Sequence, residues 1–179
     1  MRRLLRRIRG QGGYTLVELI AVMAILMTIL TALTALFVSG ARAELDANRR
    51  FQAQQQARTA ADRLRREVHC ANNVTVEGGG TGVSITLPSH CPTAVGGSTT
   101  TVVYSTEAVT GSTQRFRLKR NTTTVADYLT AAAVFSYGKP SGELGKFHLD
   151  FPVNVNPNEG WKQWRLQTDI VLRNTTRSG

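Results

Sequence analysis

Apolar residues along this chain follow two different periods, and the change between them falls near Asn72. From Leu19 to Val38 runs LIAVMAILMTILTALTALFV, twenty residues without a charge. A helix of that length rises about 30 Å, the thickness of a bilayer's hydrocarbon core. Its polar members, Thr28, Thr31 and Thr34, can return their hydroxyls to helix carbonyls. Residues 41–70 hold no glycine or proline and are rich in Ala, Gln, Arg, Leu and Glu, all strong helix formers. Ala57, Ala60, Ala61, Leu64 and Val68 recur at helical spacing and make one apolar face. Arg58–Asp62, Asp62–Arg66 and Arg63–Glu67 are spaced as ion pairs expected on the wet side. The pattern predicts one helix from about Tyr14 to about Ala71, its first half in a membrane and its second half packed on a soluble domain. Such a helix would be about 85 Å long. A globular core of this size does not need it.

Beyond Asn72 the spacing shortens to that of strands, and Thr, Val and aromatic residues become frequent. Strands are predicted at Asn73–Glu77, Val83–Leu87, Thr100–Ser105, Gln114–Arg120, Ala131–Tyr137, Lys146–Asn154 and Trp164–Arg173. In the last of these, Leu166, Thr168, Ile170 and Leu172 share a face. Turn signals separate them at Gly78-Gly79-Gly80 with Gly82, Gly96-Gly97, Gly111-Ser112, Gly138 to Gly145, and Asn156 to Gly160. A long helix followed by an antiparallel sheet is an α+β architecture.

Charge changes this picture at the N-terminus. The chain has 179 residues with 22 Lys+Arg against 12 Asp+Glu, a formal net charge of +10. That length suits one domain with an appendage and is too short for a large two-domain enzyme. A surplus of that size suggests nucleic acid or an anionic membrane as partner. Half of it, however, sits on Arg2, Arg3, Arg6, Arg7 and Arg9, ahead of the apolar run. Arginines there mark the cytoplasmic side, so the rest of the chain is expected across the membrane. A secretory signal peptide has a shorter apolar region, of about 7–15 residues. The helical pattern also passes straight through the weak cleavage candidate Ser39-Gly40-Ala41. A plain single-pass anchor is the simple alternative, and Glu18 is the residue that does not fit it. It is the only charged side chain between Gly10 and Ala41. A charge at mid-membrane costs roughly 2.5–3.5 kcal/mol on insertion scales, and less near the interface, so a partner is expected.

The string Gly13-Tyr14-Thr15-Leu16-Val17-Glu18-Leu19-Ile20, with the basic leader before it and the apolar helix after it, resembles the processing site of type IV pilins and type II secretion pseudopilins. The resemblance implies that a prepilin peptidase cuts between Gly13 and Tyr14 and methylates the new Tyr14 amine. It also implies that Glu18 pairs with the Tyr14 amine of a neighbouring subunit, which neutralises the carboxylate and sets the axial register. Many major type IV pilins carry a proline in the middle of this helix. None lies between Tyr14 and Pro88 here, which suits a pseudopilin or minor pilin. Looser likenesses at Phe51-Gln52-Ala53-Gln54, Arg63 to Glu67, Val103-Tyr104, Leu118 to Arg120 and Val134 to Tyr137 lean toward a minor or tip subunit. The implied organisation is a leader over 1–13, a transmembrane half-helix over 14–40, an amphipathic half over 41–71 and a β-rich extracytoplasmic domain over 72–179. The implied partners are other pilin or pseudopilin subunits, the prepilin peptidase, an assembly ATPase with its platform protein, and the membrane. The implied location is the inner membrane with a cytoplasmic N-terminus, then a periplasmic or surface fibre.

Cys70 and Cys91 are expected on the oxidising side. A disulfide between them would tie the end of the helix to the loop before Pro92, closing a loop of about 20 residues and stabilising by about 3 kcal/mol. Two free thiols are the alternative. His69, Cys70, His90 and Cys91 have the composition of a tetrahedral zinc site. Adjacent ligands on a helix point apart, however, and oxidised cysteines do not bind zinc, so no metal is expected. A cysteine nucleophile with a histidine base has less still in its favour. Carboxylates are scattered, and the glycines at 78–80 and 82 lack phosphate-loop spacing and a following helix. No enzyme and no cofactor is expected. Arg63, Arg65 and Arg66 form one basic cluster. Arg115, Arg117 and Lys119 form another, on a strand face opposite Phe116 and Leu118. A solvated face is the expectation for this stripe, with an acidic neighbouring subunit or DNA, as in a competence-type pilin, as the alternatives. On the DNA reading, removing its charges would weaken DNA binding and flatten the salt dependence. Trp161 and Trp164 are expected as core or edge anchors.

Overall fold

The computed structural model describes residues 13–94, 98–112, 114–139, 144–156 and 162–172. The leader arginines, the turn signals at Gly96-Gly97, residues 140–143 and 157–160, Trp161 and Arg173 lie outside the described residues.

Helix α1 runs Leu16–Cys70. It begins where Thr15 caps it: the Thr15 hydroxyl accepts the Glu18 backbone N–H at 3.3 Å. Thr15 followed by an acid three residues later has the spacing of a capping box, and the acid lies at the positive end of the helix dipole. Thr28, Thr31 and Thr34 donate back to the carbonyls of Ile25, Met27 and Leu30 at 2.7, 2.7 and 2.8 Å. These bonds leave the apolar stretch without a free hydroxyl donor. The helix ends at Cys70, and the Asn72 N–H then bonds to the Thr86 carbonyl at 2.9 Å, which starts the sheet.

By contacts the chain divides between Leu45 and Asp46 into two compact units. In the first, residues 13–45 are all exposed. Over Leu19–Val38 the helix carries no charge and, among the described residues, has no protein against it, which is the character of a membrane span. Among the described residues α1 is the one helix long and apolar enough to cross a membrane.

In the second unit the helix buries Ala53, Ala57, Ala60, Ala61, Leu64 and Val68 in the domain core, including all five positions of the predicted face. The alanines allow close approach of helix to sheet. The sheet consists of β1 (Asn73–Glu77), β2 (Gly82–Leu87), β3 (Thr100–Ala108), β4 (Phe116–Arg120), β5 (Thr123–Leu129), β6 (Phe135–Gly138), β7 (Lys146–Val153) and β8 (Trp164–Val171). It is antiparallel throughout, in the order β1-β2-β3-β4-β5-β7-β6, with β8 pairing β7. Val83, Ile85, Leu87, Tyr104, Leu118, Leu129, Phe147, Leu149 and Phe151 are buried. The Phe135 ring lies 5.8 Å from that of Phe147 and 6.3 Å from that of Phe151. This is the α+β arrangement expected.

Strand β3 runs on to Ala108, past the expected Ser105, and β4, β5 and β6 also depart from expectation. Strand β5 is not predicted at all. Asn121, at φ 53°, turns the chain between β4 and β5 without a glycine. The Asn121 side-chain oxygen accepts the Val103 N–H at 2.9 Å, which pins that turn onto β3. Strand β6 starts at Phe135 rather than Ala131, because the segment before it leaves the ladder. The Ala132 carbonyl accepts the Thr106 hydroxyl at 2.7 Å, and the Val134 N–H bonds to the Gly80 carbonyl at 2.9 Å. Gly80 makes this approach possible: its φ is +101°, and a Cβ there would lie 2.5 Å from the Phe135 carbonyl oxygen. Strand β4 starts at Phe116, leaving Arg115 just outside it.

Candidate functional site

The Gly13–Tyr14 peptide precedes the helix in a segment without regular structure. Tyr14 is 82% exposed. A Cβ at Gly13 would meet nothing within 4 Å, so the chain's own fold places no steric demand for glycine there. Glu18 is exposed, and among the described residues no cation reaches its carboxylate. Three features therefore adjoin in sequence and in space: an accessible peptide bond, a capped helix start, and an unpaired acid at the head of an apolar helix.

The second constellation lies within the folded domain and corrects the sequence reading. Glu67 was expected on the wet side, paired with Arg63; it is instead fully buried. Its position explains this, since Glu67 follows Leu64 by three residues and continues the buried stripe. The Tyr104 hydroxyl donates to Glu67 Oε2 at 2.7 Å. Arg120 approaches Oε1 through a terminal nitrogen at 2.9 Å and through Nε at 3.1 Å. Arg63 adds a longer contact at 3.4 Å. Tyr104 and Arg120 are register partners on β3 and β4, so the sheet presents both donors to one carboxylate of the helix. Burial, then the hydrogen bond and charge of Glu67, push the Tyr104 phenol above its ordinary value, against the pull of Arg120 and Arg63. For Arg120, burial acts against the charge, but the Glu67 hydrogen bond and charge outweigh it and hold the guanidinium more firmly protonated.

The basic stripe is matched by acids on neighbouring strands. Arg115 binds Asp127 through Nε at 3.0 Å and a terminal nitrogen at 2.6 Å, and its guanidinium stacks 3.9 Å from the Tyr128 ring centre. Arg117 reaches the same carboxylate at 3.3 Å, and Lys119 pairs with Glu107. Burial raises the Asp127 carboxyl, but Arg115, the Tyr128 N–H and Arg117 together hold it below the ordinary range. Of the helix cluster, Arg65 donates to the Thr168 hydroxyl of β8 at 2.9 Å. Trp164 packs partly buried against the core, with Arg58 5.3 Å from its ring centre.

Cys70 and Cys91 form a disulfide with a Cα–Cα distance of 6.0 Å. It joins the last residue of α1 to a turn closed by the Cys91 N–H on the Pro88 carbonyl at 3.0 Å. His90 stands beside it and His69 does not join the group. Reduction is expected to lower unfolding stability by about 3 kcal/mol, since it frees a loop of about 20 residues in the unfolded chain. Denaturant titrations with and without reductant check this, and an unchanged midpoint would count against it.

Residues 8–34 match the family described as the prokaryotic N-terminal methylation motif, the type IV pilin and pseudopilin signature. The match takes in Arg9 of the basic N-terminal segment, the Gly13–Tyr14 bond, Glu18 and most of the apolar stretch, and leaves Arg2, Arg3, Arg6 and Arg7 outside it. No curated protein and no solved structure matches the chain. The motif supports a pilin-like substrate of prepilin peptidase and implies assembly with other pilin subunits; with the apolar helix, it fits a membrane-anchored protein.

Proposed function

We propose that this chain, which carries the pilin and pseudopilin signature at its N-terminus, is a structural subunit of a type IV pilus or type II secretion pseudopilus, as a minor pilin or pseudopilin. The observation that carries the reading is the methylation motif over residues 8–34, set on a helix whose residues through Leu45 are all exposed. Prepilin peptidase cuts between Gly13 and Tyr14, and the Tyr14 amine is methylated. The apolar half of α1 holds the subunit in the inner membrane, leader on the cytoplasmic side, until an assembly ATPase and platform protein drive extrusion. Glu18 then meets the Tyr14 amine of a neighbour. The β-rich region from residue 72 onward forms the extracytoplasmic surface, and the role is mechanical rather than catalytic.

Intact-mass measurement of the protein from its native membrane tests this. The expected mass lacks residues 1–13 and carries one added methyl group. A protein still beginning at Met1 would overturn the reading. The alternative of a DNA-binding competence-type pilin would use Arg115, Arg117 and Lys119. Each of them already faces a carboxylate, so free charge at that stripe gives the alternative no support.

A further inference from the structure

The disulfide region carries a feature that the filament reading does not use. The ligand atoms of Cys70, His90 and Cys91 all lie within 4.8 Å of one another. Cys91 is buried, Cys70 half-buried and His90 exposed, so the group is closed on the protein side and open on the other. The described structure gives the His90 imidazole no hydrogen-bond or ion-pair partner, although it stands against two sulfurs. A tetrahedral zinc centre has Zn–S near 2.3 Å and Zn–N near 2.0 Å, which sets ligand atoms about 3.3–3.8 Å apart. A 6.0 Å Cα–Cα separation lets the two sulfurs reach such a spacing by side-chain rotation alone.

We propose that the dithiol form of this chain binds a thiophilic divalent cation of the zinc class through Cys70, Cys91 and His90, and that disulfide formation expels it. Each new chain passes through the dithiol form before oxidation. Binding displaces the two thiol protons, leaving two thiolates and a neutral imidazole on the cation, with water in the fourth position. A disulfide oxidant then takes two electrons from the thiolates and is itself reduced to two thiolates. The Cys70–Cys91 bond forms, and the cation leaves because disulfide sulfurs no longer offer the charge that held it. The cation thus caps the pair and delays its oxidation. None of this depends on the chain's place in a fibre.

The test uses the full chain in detergent, reduced with a phosphine and freed of metal, and titrated with Co²⁺ and then Zn²⁺. The reduced protein should show thiolate-to-cobalt absorption saturating at one cobalt per chain, bleached by zinc, while the oxidised protein stays silent. His90→Ala, at an exposed position, should weaken binding on the order of a hundredfold. Zinc should also raise the unfolding temperature of the reduced chain and leave that of the oxidised chain unmoved, which reads the site even if reduction loosens the domain. Equal binding by the oxidised chain, no thiolate–cobalt band in the reduced one, no zinc-dependent stabilisation, or a His90→Ala change smaller than about tenfold would each overturn the proposal.

Discussion

Replacing Glu67 with alanine is expected to destabilise the folded domain by about 3–5 kcal/mol, the usual cost of removing one partner from a buried ion pair. The carboxylate is fully buried and receives Tyr104, Arg120 and Arg63. Without it, Arg120 keeps a charge that is 15% exposed and has lost its counter-ion, and the Tyr104 hydroxyl loses its acceptor. Tyr104→Phe should cost less, about 1.5–3 kcal/mol, because it deletes one hydrogen bond to a charged group and leaves the ion pair in place. Chemical unfolding of the full chain in detergent measures both, and a loss below about 1 kcal/mol for Glu67→Ala would contradict the account. The same cluster has a pH signature. The Tyr104 phenol is raised in the folded state above its ordinary value of 10. Its neutral form is therefore favoured by folding. The stability it contributes is whole below pH 10 and declines as the pH rises beyond that toward the folded value. The phenolate absorbance of Tyr104, isolated as the difference from Tyr104→Phe, should accordingly appear only in strong alkali and together with unfolding.

Glu18→Ala is expected to leave membrane insertion intact and to lower incorporation into fibres by about a hundredfold or more. The Thr15 side chain supplies the helix cap, so the start of α1 survives the substitution. An alanine in the apolar stretch also costs less in lipid than a carboxylate. On the proposed reading, what is lost is the counter-ion of the neighbour's Tyr14 amine in a water-poor contact, where an unpaired charge costs about 3–5 kcal/mol. Glu18→Gln should behave similarly, because the amide keeps the shape and loses the charge. The measurement is the fraction of chain in sheared fibres relative to membrane, with intact mass confirming that processing occurs. Normal incorporation of either variant would remove Glu18 from the role of setting register.

The helix was legible because its pattern is long, periodic and nearly free of breakers. Its buried face, Ala57 to Val68, follows from spacing alone. The N-terminal motif was equally legible, since its residues adjoin in sequence. Strand β5 was hidden because an Asn121-Thr122 turn lacks the usual glycine and because Asp127, inside the strand, reads as a loop residue until Arg115 is seen beside it. The start of β6 was misplaced because Thr106, far away in sequence, draws Ala132 out of the ladder. The basic stripe looked like free charge because its acids, Glu107 and Asp127, lie on other strands.

Local order along the chain thus determined the apolar helix, the basic character of the segment before it, the position of the methylation motif and the α+β class, since each depends on neighbours within a few turns. Tertiary structure decided the fate of the charges. Glu67 occupies a core position of the helical stripe, and a lone carboxylate there would be prohibitive. Only the pairing of β3 with β4 brings Tyr104 and Arg120 to the same point, and that long-range coincidence turns a residue expected in water into the polar centre of the core.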